Sequence, residues 1–198
     1  MSRARVLSAQ ELRQLLLHVS RRRHALRNAT QLLLTYWAGL RVSEVAALRY
    51  SDVLRPGGGI LPEVSLSQGA GRPARVVLIS ARMQRQLLAY VNAFPPSDPG
   101  KPLFFTQKSA GWTANTLTQH FFHLYRAAGL RGASSQSGRR TFVTTLVRQG
   151  VATRTVQALA GHRRTAATRA VVGPEDLLRI AIEGIDSPAA PGAGGTAP

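Results

Sequence analysis

The chain contains no cysteine, so neither a disulfide framework nor a thiolate metal site is open to it. No uninterrupted apolar run approaches the ~20 residues that a membrane-spanning helix requires. The opening stretch, MSRARVLSAQELRQLL, carries no signal-peptide pattern and runs straight into a helix start, which sets the expectation of a cytoplasmic protein. Acidic side chains are scarce as well. Asp and Glu together number 9 against 26 Lys and Arg, for a formal net charge of +17. Lysine is itself nearly absent, with only Lys101 and Lys108, so the positive charge is carried almost wholly by guanidinium groups. Arginine suits bidentate phosphate contacts and stacking. A clustered cationic surface gains from releasing the counterions of a polyanion, so the balance points to nucleic acid as partner. A genome that favours arginine codons would also enrich arginine, but it does not account for the shortage of acids.

What is present is enough for one well-cored domain: 198 residues, 44% of them hydrophobic, which excludes wholesale disorder. Ser8-Ala-Gln-Glu11 is a capping box that opens an amphipathic helix over about 8–20. A second helix is expected from about Arg23 to Ala38, closed by Gly39, and a short one restarts near Ser43. RPGGG (55–59) breaks the chain. ILPEVSLS and ARVVLIS read as two strands around the loop QGAGRP. ARMQRQLLAYVNAF is a further helix, stopped by PPSDPGKP, and LFF (103–105) reads as a short strand. Four more helices are expected, in TANTLTQHFFHLYRAAG, SGRRTFVTTLVRQG, ATRTVQALAG and PEDLLRIAIEGI. The first three end at Gly129, Gly150 and Gly161, and the last begins at Pro174. The fold class is therefore mainly α with a small antiparallel β-sheet (α+β). One domain is expected over residues 1–186, followed by a Pro/Gly/Ala-rich disordered tail at 187–198.

Three basic clusters carry candidate chemistry, and each has a plainer alternative. Arg41 lies between a helix end and a helix start, where it could equally form an i,i+3 pair with Glu44 worth a few tenths of a kcal/mol. Arg139 and Arg140 fall in the first turn of a helix, whose N-terminus adds donors for an anion; the alternative is a solvated basic turn. His162 follows Gly161 at a helix junction, where a lone histidine often serves as a cap. Outside these, Arg21-Arg22-Arg23-His24 is either a DNA-backbone contact or a solvated turn. His120-x-x-His123 sits on one helix face, but with no third ligand nearby a metal is not expected.

Taken in order, the clusters resemble the catalytic domain of the tyrosine recombinase (phage integrase) family, over residues 6–185. The first family box corresponds to Gly39-Leu40-Arg41-Val42-Ser43-Glu44, followed by Leu48 and Asp52. The second corresponds to Gln136-Ser137-Gly138-Arg139-Arg140-Thr141-Phe142, and the Leu-x-Gly-His box to Leu159-Ala160-Gly161-His162. In that family two arginines and a His or Trp clamp the scissile phosphate. A Lys on the strand-pair loop protonates the leaving 5′ oxygen, a His assists proton transfer, and a Tyr attacks phosphorus to give a 3′-phosphotyrosine without a metal.

The resemblance implies a clamp of Arg41, Arg139 and His162, with guanidinium forks neutralising charge as it develops. It also implies that the reactive half of the site is replaced. Gln136 stands at the proton-transfer His position and cannot exchange a proton near neutral pH. Ala70 stands near the Lys position; Arg72 or Arg75 is a candidate phosphate contact there but a poor general acid. Val171 stands at the Tyr position, nine residues after His162, flanked by Ala170 and Val172. The four tyrosines, Tyr36, Tyr50, Tyr90 and Tyr125, all lie upstream, three of them on expected helices where packing is the ordinary use. Thr165 and Thr168 lie in the right segment without an evident base nearby in sequence.

The DNA-binding set is thus Arg41, Arg72, Arg75, Arg139, Arg140, His162, Arg163 and Arg164, with no metal or cofactor. Double-stranded DNA is the expected partner, with a second copy or a Tyr-bearing paralogue as a further one. The functional expectation is a DNA-binding member of the family, tied to recombination or integration of a mobile element and unable to cleave alone. Two alternatives stand beside it: a subunit that takes its Tyr from a partner, and a decayed fragment that binds nucleic acid by charge alone.

Overall fold

A computed structural model of the chain describes residues 4–66, 75–106, 111–162 and 168. Eight helices and one strand pair follow one another among these residues. They are α1 (Ala9–Ser20), α2 (Ala25–Trp37), α3 (Val42–Ala47), α4 (Tyr50–Val53), β1 (Glu63–Leu66), β2 (Arg75–Leu78), α5 (Ala81–Ala93), α6 (Ala114–Ala127), α7 (Ser137–Arg148) and α8 (Thr153–Ala160). The architecture is mainly helical with one small antiparallel sheet.

Local chemistry sets most of the element ends. Ser8 and Glu11 close the expected capping box of α1, and the Thr113 hydroxyl accepts the Thr116 N–H to start α6. Gly39 turns the chain out of α2 at φ 63°, and Leu40 N donates back to the Leu34 carbonyl. Gly161 does the same for α8 at φ 60°. The LFF segment is not a strand. Leu103 and Phe104 are instead buried as a core-filling turn, with Leu103 N bonded to the Leu48 carbonyl and the adjacent Pro102 bridged to Arg49. Their apolarity serves burial rather than sheet formation, which periodicity in so short a run does not distinguish. Helix α4 is a single turn beyond the short helix expected near Ser43, and Asp52 Oδ2 holds it by accepting the Arg49 N–H. The expected helix beginning at Pro174 and the tail at 187–198 lie outside the described residues.

Helix α2 is the axis of the domain. Residues 30–36 are buried on every side of it, and it packs on α1, α5, α7 and α3. Helix α6 covers α1 and α3, and the sheet lies against α4. Strands β1 and β2 pair in register from Glu63 opposite Leu78 to Leu66 opposite Arg75, with Val64, Leu66, Val77 and Arg75 turned inward. A second, smaller apolar cluster forms where α7 meets α8, around Val143, Val156 and Ala160.

The approach of α7 to α2 depends on Gly138. A Cβ there would overlap the Thr35 hydroxyl oxygen and lie 2.8 Å from Thr35 Cβ. Gly138→Ala is therefore expected to cost about 1–3 kcal/mol through forced overpacking. Urea unfolding checks this, and an unchanged midpoint would mean that the two helices do not meet this closely.

Candidate phosphate-binding site

The seam between the main core and the α7–α8 cluster gathers three guanidinium groups. Arg41 sits at the turn into α3, Arg75 at the start of β2 and Arg139 in the first turn of α7. All three donate to the carbonyl-bearing turn that ends α8. Arg41 Nη2 reaches the Gly161 carbonyl at 3.0 Å, Arg75 Nη2 reaches Leu159 O at 3.2 Å, and Arg139 Nη2 bonds Ala160 O. Arg139 Nη1 also donates to Gly39 O at 2.6 Å, at the end of α2. The last carbonyls of a helix have no intrahelical partner and carry the negative end of its dipole. The ends of α2 and α8 therefore offset part of the clustered positive charge.

Glu44 offsets one further unit of that charge. Its Oε1 accepts Arg41 Nη1 at 2.6 Å and its Oε2 accepts Arg75 Nη1 at 2.5 Å. It is the one carboxylate paired with this cluster among the described residues. Desolvation alone would raise its pKa, but the hydrogen bond from Arg75, the backbone N–H of Arg41 and the charges of both arginines outweigh burial and hold it below the ordinary value. The i,i+3 pair with Arg41 expected from the sequence is present, but it is half of a three-residue network. The larger role of Glu44 depends on Arg75, which is 31 residues away along the chain.

Arg75 is turned inward on β2. Its side chain is 3% exposed, and a Cβ on Gly161 would strike it. Burial sets Arg75 behind the more exposed Arg41 and against Glu44. Strand parity held the signal, because Arg75 is two residues before the inward Val77 and four before the buried Ile79. Arg140 Nη1 donates to the Ala4 carbonyl. Arg41, with 40% of its side chain exposed, is far more accessible than Arg75.

His162 joins the cluster just past Gly161. Burial and the nearby charges of Arg139, Arg41 and Arg75 pull its pKa down to about 4, so the ring is neutral at pH 7. Burial first, then Arg41 and Arg75, also lowers the pKa of Arg139. Nδ1 of His162 lies 2.9 Å from Oγ1 of Thr168, which is 1% exposed. Sequence spacing showed no base for Thr168, yet the fold sets an imidazole beside it. So weak a base does little to activate an aliphatic hydroxyl, and the contact fixes the orientation of the ring.

Gln136 is the exposed N-cap residue of α7, and its side chain makes no capping bond. Tyr36, Tyr50, Tyr90 and Tyr125 are all buried, at 5% exposure or less. Ala70, Arg72, Arg163, Arg164 and Val171 lie outside the described residues, as does Thr165. Among the described residues no three His, Asp or Glu side chains form a metal-binding group.

The model of the phage integrase family matches residues 5–171. Tyrosine recombinase XerC of Methylobacterium sp. (strain 4-46) is 33% identical over 145 residues, which are 72% of this chain and 44% of that protein. XerC of Nitrobacter winogradskyi is 30% identical over 158 residues, 78% of this chain and 48% of its own. The chain spans about half the length of the curated relatives it matches. Among solved structures, XerA recombinase is similar with a TM-score of 0.76 at 20% identity, covering 93% of this chain and 66% of that one. XerH site-specific recombinase, bound to its palindromic difH substrate, gives a TM-score of 0.70 at 21% identity, covering 92% and 53%. These two likenesses carry the fold.

Proposed function

Because this chain belongs to the phage integrase family, the tyrosine recombinases, we propose that it binds double-stranded DNA through a phosphate clamp and does not cleave the strand by itself. One observation carries the reading: three guanidiniums and one imidazole converge on a single turn with one carboxylate among them. The excess positive charge is what a phosphodiester would neutralise. Arg41 and Arg139 would hold the phosphate oxygens. With Nδ1 accepting from the Thr168 hydroxyl, Nε2 of His162 would carry the proton and donate to them. Arg75 would act from behind, through its charge and by keeping Glu44 in place. The DNA in the XerH complex supports DNA as the ligand class.

The lack of cleavage rests on the side chains at the reactive positions. Val171, Ala70 and Gln136 provide no nucleophile, no leaving-group acid and no proton carrier at the positions where the family uses them. The four buried tyrosines leave no substitute in the described part of the chain. Any strand cleavage would then need a tyrosine from a second chain, and a Tyr-bearing paralogue acting in the recombination of a mobile element is the partner we infer.

The clamp is tested with Arg41, because its exposure separates binding from folding. Arg41→Ala is expected to weaken duplex binding by about 1–3 kcal/mol. Fluorescence anisotropy at a fixed, stated salt concentration reads this directly. Affinity equal to the parent protein would remove Arg41 from the interface and leave only non-specific charge.

A further inference from the structure

A second cationic cavity lies at the other end of α2. It has a volume of about 370 Å³ and opens between the turn that precedes α2 and one face of α6. Arg22, Arg23, His24 and Arg27 line one side, His120 and His123 the other, and no carboxylate lines it among the described residues. The fold thus unites two motifs that lie about a hundred residues apart in the chain, the Arg21–His24 run and the histidine pair.

Among the described residues, neutral groups hold the back wall of this cavity in place. Arg27 Nη1 donates to the Phe105 carbonyl at 3.1 Å, and its guanidinium lies over the Trp112 ring at 5.3 Å. His120 Nε2 meets Asn28 Oδ1 at 3.1 Å, and its ring centroid is 4.9 Å from that of Trp112. These contacts orient the groups without neutralising them. Burial and the surrounding cations pull the His120 pKa down to about 4, and His24 is lowered too. The start of α2 adds to the field. His24 caps it in the left-handed region at φ 63° with no side-chain acceptor, so the helix presents its positive end beside the cavity. The arginines lining it face no carboxylate among the described residues and repel one another, and an anion relieves that cost.

We propose that this cavity is a second phosphate site, which holds a backbone phosphodiester of the same duplex that the Arg41–Arg139 clamp engages. The proposal rests on the clamp reading for the identity of the duplex. Helix α2 has 13 residues and links the two sites. At ~1.5 Å per residue the sites are roughly 20 Å apart. That is the axial length of about six base pairs at ~3.4 Å each.

The test uses the full chain and two probes. The first is a mixed-sequence 30-base-pair duplex, with affinity measured across a salt series. Arg22→Ala/Arg23→Ala removes two exposed turn residues. It is expected to reduce the slope of log K against log salt by about 2 and affinity about tenfold or more. The control, Arg85→Ala/Arg148→Ala, removes the same charge from exposed positions elsewhere and should change both quantities less. Equal effects in the two variants would overturn the proposal in favour of a solvated basic turn. The second probe is inorganic phosphate, followed through the imidazole nitrogen resonances of His120 and His123. Phosphate should shift both resonances in the parent protein and neither in Arg22→Ala/Arg23→Ala. Shifts without any change in the duplex slope would make the cavity a free-anion site and overturn its assignment to DNA. Should Arg41→Ala alone leave duplex binding intact while Arg22→Ala/Arg23→Ala weakens it, the clamp reading fails and the cavity stands.

Discussion

Glu44→Ala should unfold the protein at a markedly lower denaturant concentration than the parent, with a loss of about 3–5 kcal/mol. That is the range for removing one partner from a buried ion pair and leaving the other charge uncompensated. The stranded charge is Arg75, whose side chain is 3% exposed and whose remaining acceptors are the carbonyls of Gly39 and Leu159. Arg41 loses a partner as well, but its exposed guanidinium can turn to water at little cost. Glu44→Gln should fall between, since the amide keeps the shape and one acceptor but not the charge. The pH dependence has a definite sign. The pKa of Glu44 is lowered by folding, so its stabilising contribution is fully present above the ordinary carboxylate range. The contribution is lost as pH falls through the folded value. Acid unfolding of the parent should therefore be steeper below about pH 4.5 than that of Glu44→Gln. A loss under ~1 kcal/mol for Glu44→Ala would mean that the arginine cluster is solvated and does not depend on this carboxylate.

The largest change expected in activity is a gain. The triple variant Val171→Tyr/Ala70→Lys/Gln136→His should form a covalent protein–DNA adduct on a nicked duplex where the parent forms none. The introduced groups would supply the nucleophile, an acid for the leaving oxygen and a proton carrier around the proposed clamp. Denaturing electrophoresis separates the adduct, and mass spectrometry locates it at residue 171. An adduct with the parent protein would end the proposal that it does not cleave alone. A triple variant that binds DNA normally but forms no adduct would show that the segment after His162 does not carry residue 171 to the phosphate. Positional errors near 1 Å are enough to suppress such chemistry. Mixing the parent with a Tyr-bearing relative separates these outcomes from cleavage shared between two chains.

By itself, the sequence determined those features whose cause is local. The helices of α1, α2, α5, α6, α7 and α8 follow from apolar spacing together with Ser8, Thr113, Gly39 and Gly161 at their ends. The net charge of +17 and the three ordered boxes were enough to indicate a DNA-handling family and to nominate Arg41, Arg139 and His162. Tertiary structure decided what depends on distance. Whether Arg75 meets a ligand or a carboxylate depends on which face of β2 packs inward, and its nearest partners lie 31, 36 and 84 residues away. Thr168 meets the His162 imidazole only in the folded chain. The partners of His120, Asn28 and Trp112, come from other parts of the chain and are not visible in the His120-x-x-His123 spacing. Periodicity and capping act within a few residues, so sequence shows them. A buried charge takes its meaning from groups that only the completed fold brings near.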